Sequence, residues 1–165
     1  AATVMLLLDP NNPAAMSAAA DADGAARALG IRLTIAVAGS EHEIDDAFEN
    51  AARQRVDAAL SVGSAFFLSR SRQIVALAER HAIPAIYANG EFAAIGGLIS
   101  YSGSITDGYR QIGVYAGRIL NGANPADLPI VRGTRVQLAI NLRTARTLGL
   151  AIPPTLLARA DEVIE

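Results

Sequence analysis

The sequence predicts an α/β fold in three layers, αβα, with helices on both faces of a mainly parallel sheet of strand order 2-1-3-4-5. Two observations carry this expectation. Four short apolar runs, Thr3 to Leu8, Leu33 to Val37, Ala58 to Val62 and Ile83 to Ala88, each stop at a loop of small and polar residues before a helical pattern begins. Parallel strands need helical crossovers. Right-handed crossovers with one reversal beside the first strand leave little choice of order. The second observation is size: 165 residues with 52% hydrophobic content bury one sizeable core.

The first run ends at Asp9-Pro10-Asn11-Asn12-Pro13. Ala14 to Leu29 follows, rich in alanine and closed by Gly30, as a helix with glycine just past its end. The second run ends at Ala38-Gly39-Ser40, and Ser40 with Glu43 three residues on opens a helix over Glu41 to Arg55 as a capping box. Ile44, Ala47, Phe48 and Ala51 recur there at helical spacing and should face the sheet. The third run ends at Gly63-Ser64-Ala65-Phe66, and Ile74, Leu77 and Ala78 mark the inner stripe of a helix over Ser69 to His81. The fourth run carries Pro84 near its start, where a missing N–H is tolerable, and ends at Asn89-Gly90-Glu91. A fifth run, Gly97 to Ser100, ends at Tyr101-Ser102-Gly103.

From Ser104 the pattern changes. A helix over Thr106 to Asn121 stops at Gly122, and a looped stretch, Ala123 to Gly133, carries Pro125 and Pro129. Val136, Leu138 and Ile140 then alternate with polar neighbours as a half-buried strand. Asn141 caps a short helix ending at Gly149, and Pro153-Pro154 introduces a last short helix, Thr155 to Glu165. These shifts divide the chain into an α/β unit at residues 1–103, a crossover helix and linker at 104–133, and a return strand with C-terminal helices at 134–165.

Composition removes several chemistries. A net charge of -2 with interspersed signs offers no basic face for nucleic acid. Cysteine is absent and all 14 basic residues are arginine, so thiolate chemistry, Schiff bases and a P-loop lysine fall together. Asp9 ends the first strand as in a phosphate-receiver domain, but the third strand ends in Gly63-Ser64 and no lysine exists. The loop after the first strand lacks the glycines of a dinucleotide site. Ser64 lacks the second glycine of a nucleophile elbow, and His42 and His81 sit at helix ends, as solvated or end-capping side chains. No metal site and no cofactor are expected.

A binding reading suits the strand ends better, because open α/β sheets hold ligands outside the carboxyl ends of their strands. These loops offer amides and hydroxyls in Asn11, Asn12, Ser40, Ser64, Asn89 and Ser102, a carboxylate in Glu91, and aromatic rings in Phe66, Phe67, Tyr87, Phe92 and Tyr101. Small-molecule sites combine apolar walls with a few orienting polar groups. Asn11, Asn12, Ser64, Phe66, Asn89, Glu91 and Tyr101 are the candidate ligand contacts. A stand-alone α/β enzyme or regulatory domain with a site at the same edge is the alternative.

The runs Ile83-Pro84-Ala85-Ile86-Tyr87-Ala88-Asn89, Glu91-Phe92 and Gly96-Gly97-Leu98-Ile99-Ser100-Tyr101 resemble the solute-binding proteins of ABC transporters, in the family that includes binders of tryptophan and other aromatic amino acids. The blocks Ala126-Asp127-Leu128-Pro129, Ala139 to Ala145, Ile152-Pro153-Pro154 and Leu156 to Ile164 agree, so the resemblance extends over nearly the whole chain. It implies one lobe of a type I periplasmic binding protein: the second lobe with its return segments, the first lobe and signal peptide being absent. It further implies a non-catalytic, periplasmic or extracytoplasmic receptor that holds a small molecule such as an amino acid in an interlobe cleft and partners an ABC permease. The loop Asn89-Gly90-Glu91 departs from the family by carrying glycine where a larger, often basic residue is expected. The resemblance also sets the helix Thr106 to Asn121, with Tyr109, Ile112, Ala116, Ile119 and Leu120 on one face, against the absent lobe. Alone, the chain is expected to cover that face by forming a two-fold homodimer through the helix, or by folding the helix back onto its own sheet.

Overall fold

The computed structural model describes residues 2–131 and 135–165; the expected division at 133/134 lies outside the described residues. Seven strands form one sheet: β1 (Thr3–Leu8), β2 (Arg32–Val37), β3 (Ala58–Ser61), β4 (Ala85–Tyr87), β5 (Ile99–Gly103), β6 (Val136–Asn141) and β7 (Glu162–Ile164). Their order is β2-β1-β3-β4-β5-β6-β7. The expected order holds for the first five, which are all parallel. It is then extended by β6, antiparallel to β5, and by β7, parallel to β6.

The helices are α1 (Ala15–Ala28), α2 (Glu41–Arg53), α3 (Ala65–Ser69), α4 (Ser71–Arg80), α5 (Glu91–Ala94), α6 (Ile105–Leu120), α7 (Leu142–Thr147) and α8 (Pro154–Leu157). Strand alternation sends side chains to opposite faces, and the two faces are filled unequally. Met5, Leu7, Ala59, Ala85 and Tyr87 pack with Ile44, Phe48, Phe67, Ile74, Leu77 and Phe92 in the main core. Leu6 and Leu8, with Leu33, Leu60 and Val62, pack with the small side chains Ala19 and Ala22 of α1.

Three sequence expectations need correction. The helix expected over Ser69 to His81 begins earlier and breaks at Arg70: Ser64 caps an extra turn, α3, whose Phe67 is buried. The fifth strand runs on to Gly103, because β6 pairs with Tyr101, Ser102 and Gly103. The last expected helix stops at Leu157, and Glu162–Ile164 form a strand instead. The open edge of β6 supplies backbone partners there: Asp161 donates its N–H to the Leu138 carbonyl at 2.8 Å, and its carboxylate accepts the Leu138 N–H at 2.9 Å.

At the start of α2 the capping box forms, with the Ser40 hydroxyl accepting from the Glu43 N–H at 3.3 Å. The Glu43 carboxylate accepts the Gly39 N–H at 2.8 Å and the Ser40 hydroxyl at 3.1 Å. The Gly39 backbone bond, then the Ser40 hydroxyl, hold the Glu43 carboxyl below its ordinary value. A carboxyl whose folded pKa is depressed stabilises the fold above its unfolded pKa and loses that contribution as pH falls through the folded value. Wild type is therefore expected to lose stability relative to Glu43→Gln as pH drops below the ordinary glutamate range; denaturant melts of both across that range check it.

Candidate functional site

The parallel strands bring five loops to one edge of the sheet. After β1, the buried carboxylate of Asp9 accepts the Asn11 N–H at 2.9 Å and shapes the turn. Asn12 then uses both ends of its amide: Oδ1 accepts the Ala14 N–H at 3.0 Å, and Nδ2 donates to the Gly63 carbonyl at 2.8 Å, tying the β1 loop to the β3 loop. Ser64, next in chain, caps α3 by accepting the Phe67 N–H at 3.0 Å. After β4, Asn89 Oδ1 accepts the Glu91 N–H at 2.9 Å and turns the chain into α5.

The loops are in contact because small residues stand where they meet. A Cβ on Gly39 would lie 3.0 Å from Pro10 Cγ and 3.2 Å from Asn11 Nδ2; one on Gly63 would lie 3.6 Å from the Ala88 Cβ; one on Gly90 would lie 3.8 Å from the Ser102 hydroxyl. The result is a continuous ledge running from Gly39 past Asn11, Asn12, Gly63 and Ala88 to Gly90 and Ser102. A ledge built from glycine and alanine lets a ligand approach the backbone.

Of the seven expected contacts, Asn11, Asn12, Ser64 and Asn89 stand in loops of this ledge and Glu91 opens α5 beside it, with Asn11 and Glu91 exposed. Phe66 is half-buried and packs partly into the main core, its ring tilted against Phe67 at 5.7 Å. Tyr101 is 59% exposed and belongs to β5, opposite Leu138. Tyr87 and Phe92 are buried and stacked at 4.5 Å, and serve the core; burial raises the Tyr87 hydroxyl pKa well above the usual tyrosine range. Sequence reading passed over Asp9 as a loop organiser and Gly39, Gly63 and Ala88 as the residues that let the loops touch. The signal was present as a small residue just beyond each strand.

At the β2 end of the ledge, Arg70 pairs with Glu41 at 2.6 Å. Both line a hollow of about 390 Å³ with Ser69, Ser71, Arg72 and Gln73. At the other end, a larger hollow of about 670 Å³ lies between Gly103, Ser104 and Arg135 and the α6 residues Asp107, Gln111 and Tyr115. Asp107 there meets Arg110 at 3.0 Å. Helix α6 does not fold back onto the sheet: none of its residues is buried, and Tyr109, Ile112 and Leu120 are exposed. Among the described residues no helix is long and apolar enough to cross a membrane, and no group of three or more His, Asp or Glu side chains is placed to hold a metal ion.

Solved structures share this architecture. A protein from Streptococcus pneumonia, described as an ABC domain and solved in complex with L-Trp, is 23% identical over 99% of this chain and 56% of its own, with a TM-score of 0.88. A conserved domain protein from Vibrio cholerae is 25% identical over 98% of this chain and 54% of its own, with a TM-score of 0.81. A substrate binding protein with adhesive properties from Clostridium difficile is 16% identical over 99% of this chain and 54% of its own, with a TM-score of 0.72. The chain thus spans about half the length of these structures, as one lobe of such a protein. No curated protein sequence matches it. Residues 1–164 match the family model described as ABC transporter substrate binding protein. The chain belongs to that family.

Proposed function

We propose that this chain is one lobe of an extracytoplasmic receptor that delivers a small solute, an amino acid by preference, to the permease of an ABC importer. The ledge is the observation that carries the reading: the loops after β1, β2, β3 and β4 meet one another and the end of β5 at small residues, and offer amides, a hydroxyl and a carboxylate. A ledge is half of a cleft. The similar structures are nearly twice as long, which supports a second lobe closing over it, with the apolar face of α6 as a surface for that lobe. The L-Trp bound by the Streptococcus pneumonia protein supports the amino-acid class.

Charge orients the solute. Between Asp9 and Pro13, Ala38 and Ser40, Gly63 and Phe66, and Ala88 and Glu91 the loops carry no arginine, while Glu91 is exposed. The ammonium end of an amino acid is therefore assigned to the Glu91 side, and its carboxylate to the facing lobe. Phe66 and Tyr101 supply the apolar wall, and Asn11, Asn12, Ser64 and Asn89 the hydrogen bonds.

The test uses a two-lobed protein and a thermal-shift screen over amino acids and small organic acids, followed by calorimetry on each hit. An amino acid is expected to raise Tm, with Glu91→Gln weakening it about tenfold or more, as loss of a hydrogen bond to a charged group of about 1.5–3 kcal/mol implies. Phe66→Ala or Tyr101→Ala should weaken the same solute. Hits confined to organic acids, or an affinity indifferent to Glu91→Gln, would overturn the assignment.

A further inference from the structure

Strand β2 forms one end of the sheet, with β1 on its inner side. Arg32 and Ala38 donate their N–H groups inward, to Ala2 at 2.8 Å and Leu8 at 2.9 Å. In a parallel strand the inward and outward residues alternate. Leu33, Ile35 and Val37 therefore present both N–H and C=O outward. Their side chains share a face with Leu6 and Leu8, yet Ile35 is 55% exposed and Val37 56%. Natural edge strands are blunted by proline, lysine, inward charges or bulges. Arg32-Leu33-Thr34-Ile35-Ala36-Val37 has none of these, and its one charge is at its first residue.

We propose that this edge is a self-association surface, on which β2 of a second copy pairs antiparallel about a two-fold axis to make one continuous sheet. The register follows from the outward residues. Ile35 meets its own copy on the axis, and Leu33 meets Val37 of the second copy, so the outward backbone groups are satisfied in reciprocal pairs. The exposed apolar side chains become cross-strand neighbours on one face.

Charge supports a second copy over an unrelated strand. Helix α2 borders the edge, with Glu43, Asp46 and Asn50 facing a groove of about 330 Å³ beside Thr34 to Val37. Its acids lie toward the N-terminal part, at Glu41, Glu43, Asp45, Asp46 and Glu49, and Arg53 is in its last turn. A two-fold that sets β2 antiparallel to its copy sets α2 antiparallel as well. The acidic half of each helix then faces the Arg53 end of the other, a self-complementary arrangement required of an isologous interface.

Sedimentation velocity across the micromolar range tests this, together with hydrogen exchange at low and high protein concentration. The chain is expected to dimerise, with the Leu33, Ile35 and Val37 amides exchanging more slowly as concentration rises. Ile35→Lys places two like charges on the axis and should weaken the dimer about tenfold or more. Because Ile35 is largely exposed in the single chain, the melting temperature of the variant should stay near wild type at concentrations too low for wild type to dimerise. Leu120→Lys, on the exposed face of α6, should leave the β2 dimer intact. A monomer throughout, concentration-independent exchange at these amides, or a dimer that survives Ile35→Lys but is lost in Leu120→Lys would overturn the proposal; the last would assign self-association to α6.

Discussion

Gly97→Ala is expected to destabilise the chain by about 3 kcal/mol, the upper part of the range for overpacking a close-packed interior. A Cβ at this position would stand 2.7 Å from the Phe92 carbonyl oxygen and 2.7 Å from Tyr87 Cε2. Neither neighbour can yield cheaply. The carbonyl already accepts the Gly97 N–H at 2.7 Å, and the Tyr87 ring is 1% exposed and stacked on Phe92 within 11° of parallel. Relief requires moving α5 or parting that stack, and either shifts the start of β5. At about 2–4 °C per kcal/mol for a chain of this size, Tm should fall by roughly 6–12 °C. Calorimetry reads this directly, and an unchanged Tm would show that α5 is free to move. Gly103→Ala is the control, since a Cβ there meets nothing within 4 Å.

Asn141→Leu should cost about 2–4 kcal/mol, by adding the loss of a helix cap to a buried carbonyl left without its partner. Asn141 is 4% exposed; its Nδ2 donates to the Ala93 carbonyl at 3.1 Å, and its Oδ1 accepts the Thr144 N–H at 3.1 Å. It thus joins the last residue of β6 to α5 and starts α7 at the same time. Thr144 adds a second link to the same loop, donating its hydroxyl to the Gly96 carbonyl at 2.7 Å. Asn141→Asp separates the two roles: the carboxylate still caps α7 but has no proton for Ala93, so its loss at neutral pH should exceed that of Thr144→Val. Denaturant unfolding of the three variants checks the order. Near-wild-type stability of Asn141→Leu would mean that the α5 carbonyl finds water.

Much of the scaffold was legible because it is written locally. The periodicity of Ile44, Ala47, Phe48 and Ala51 identified the buried stripe of α2, and all four are buried. The caps at Ser40 and Asn141 were legible for the same reason, each accepting the N–H of the residue three positions on. A capping side chain reaches only a few bonds along its own chain, so sequence contains both partners. The order of the first five strands followed from the handedness of crossovers, a property of every L-polypeptide.

Local signals gave out where a distant segment decided the outcome. Residues 162–164 read as the end of a helix, and become a strand because β6 leaves its edge open to them. Tyr101 to Gly103 read as a loop, and become strand because β6, arriving from more than thirty residues away in sequence, pairs with them. The candidate site divides the same way. The sequence by itself determined which side chains follow the first four strands, and that these include amides, a hydroxyl and the Glu91 carboxylate. Only the tertiary structure decided that Asn12 reaches across to Gly63, that Gly39, Gly63 and Gly90 let neighbouring loops touch, and that Phe66 is partly spent in the core. Contacts of that kind depend on interatomic distances between segments that the chain brings together only when the sheet has formed, and no periodicity or cap encodes them.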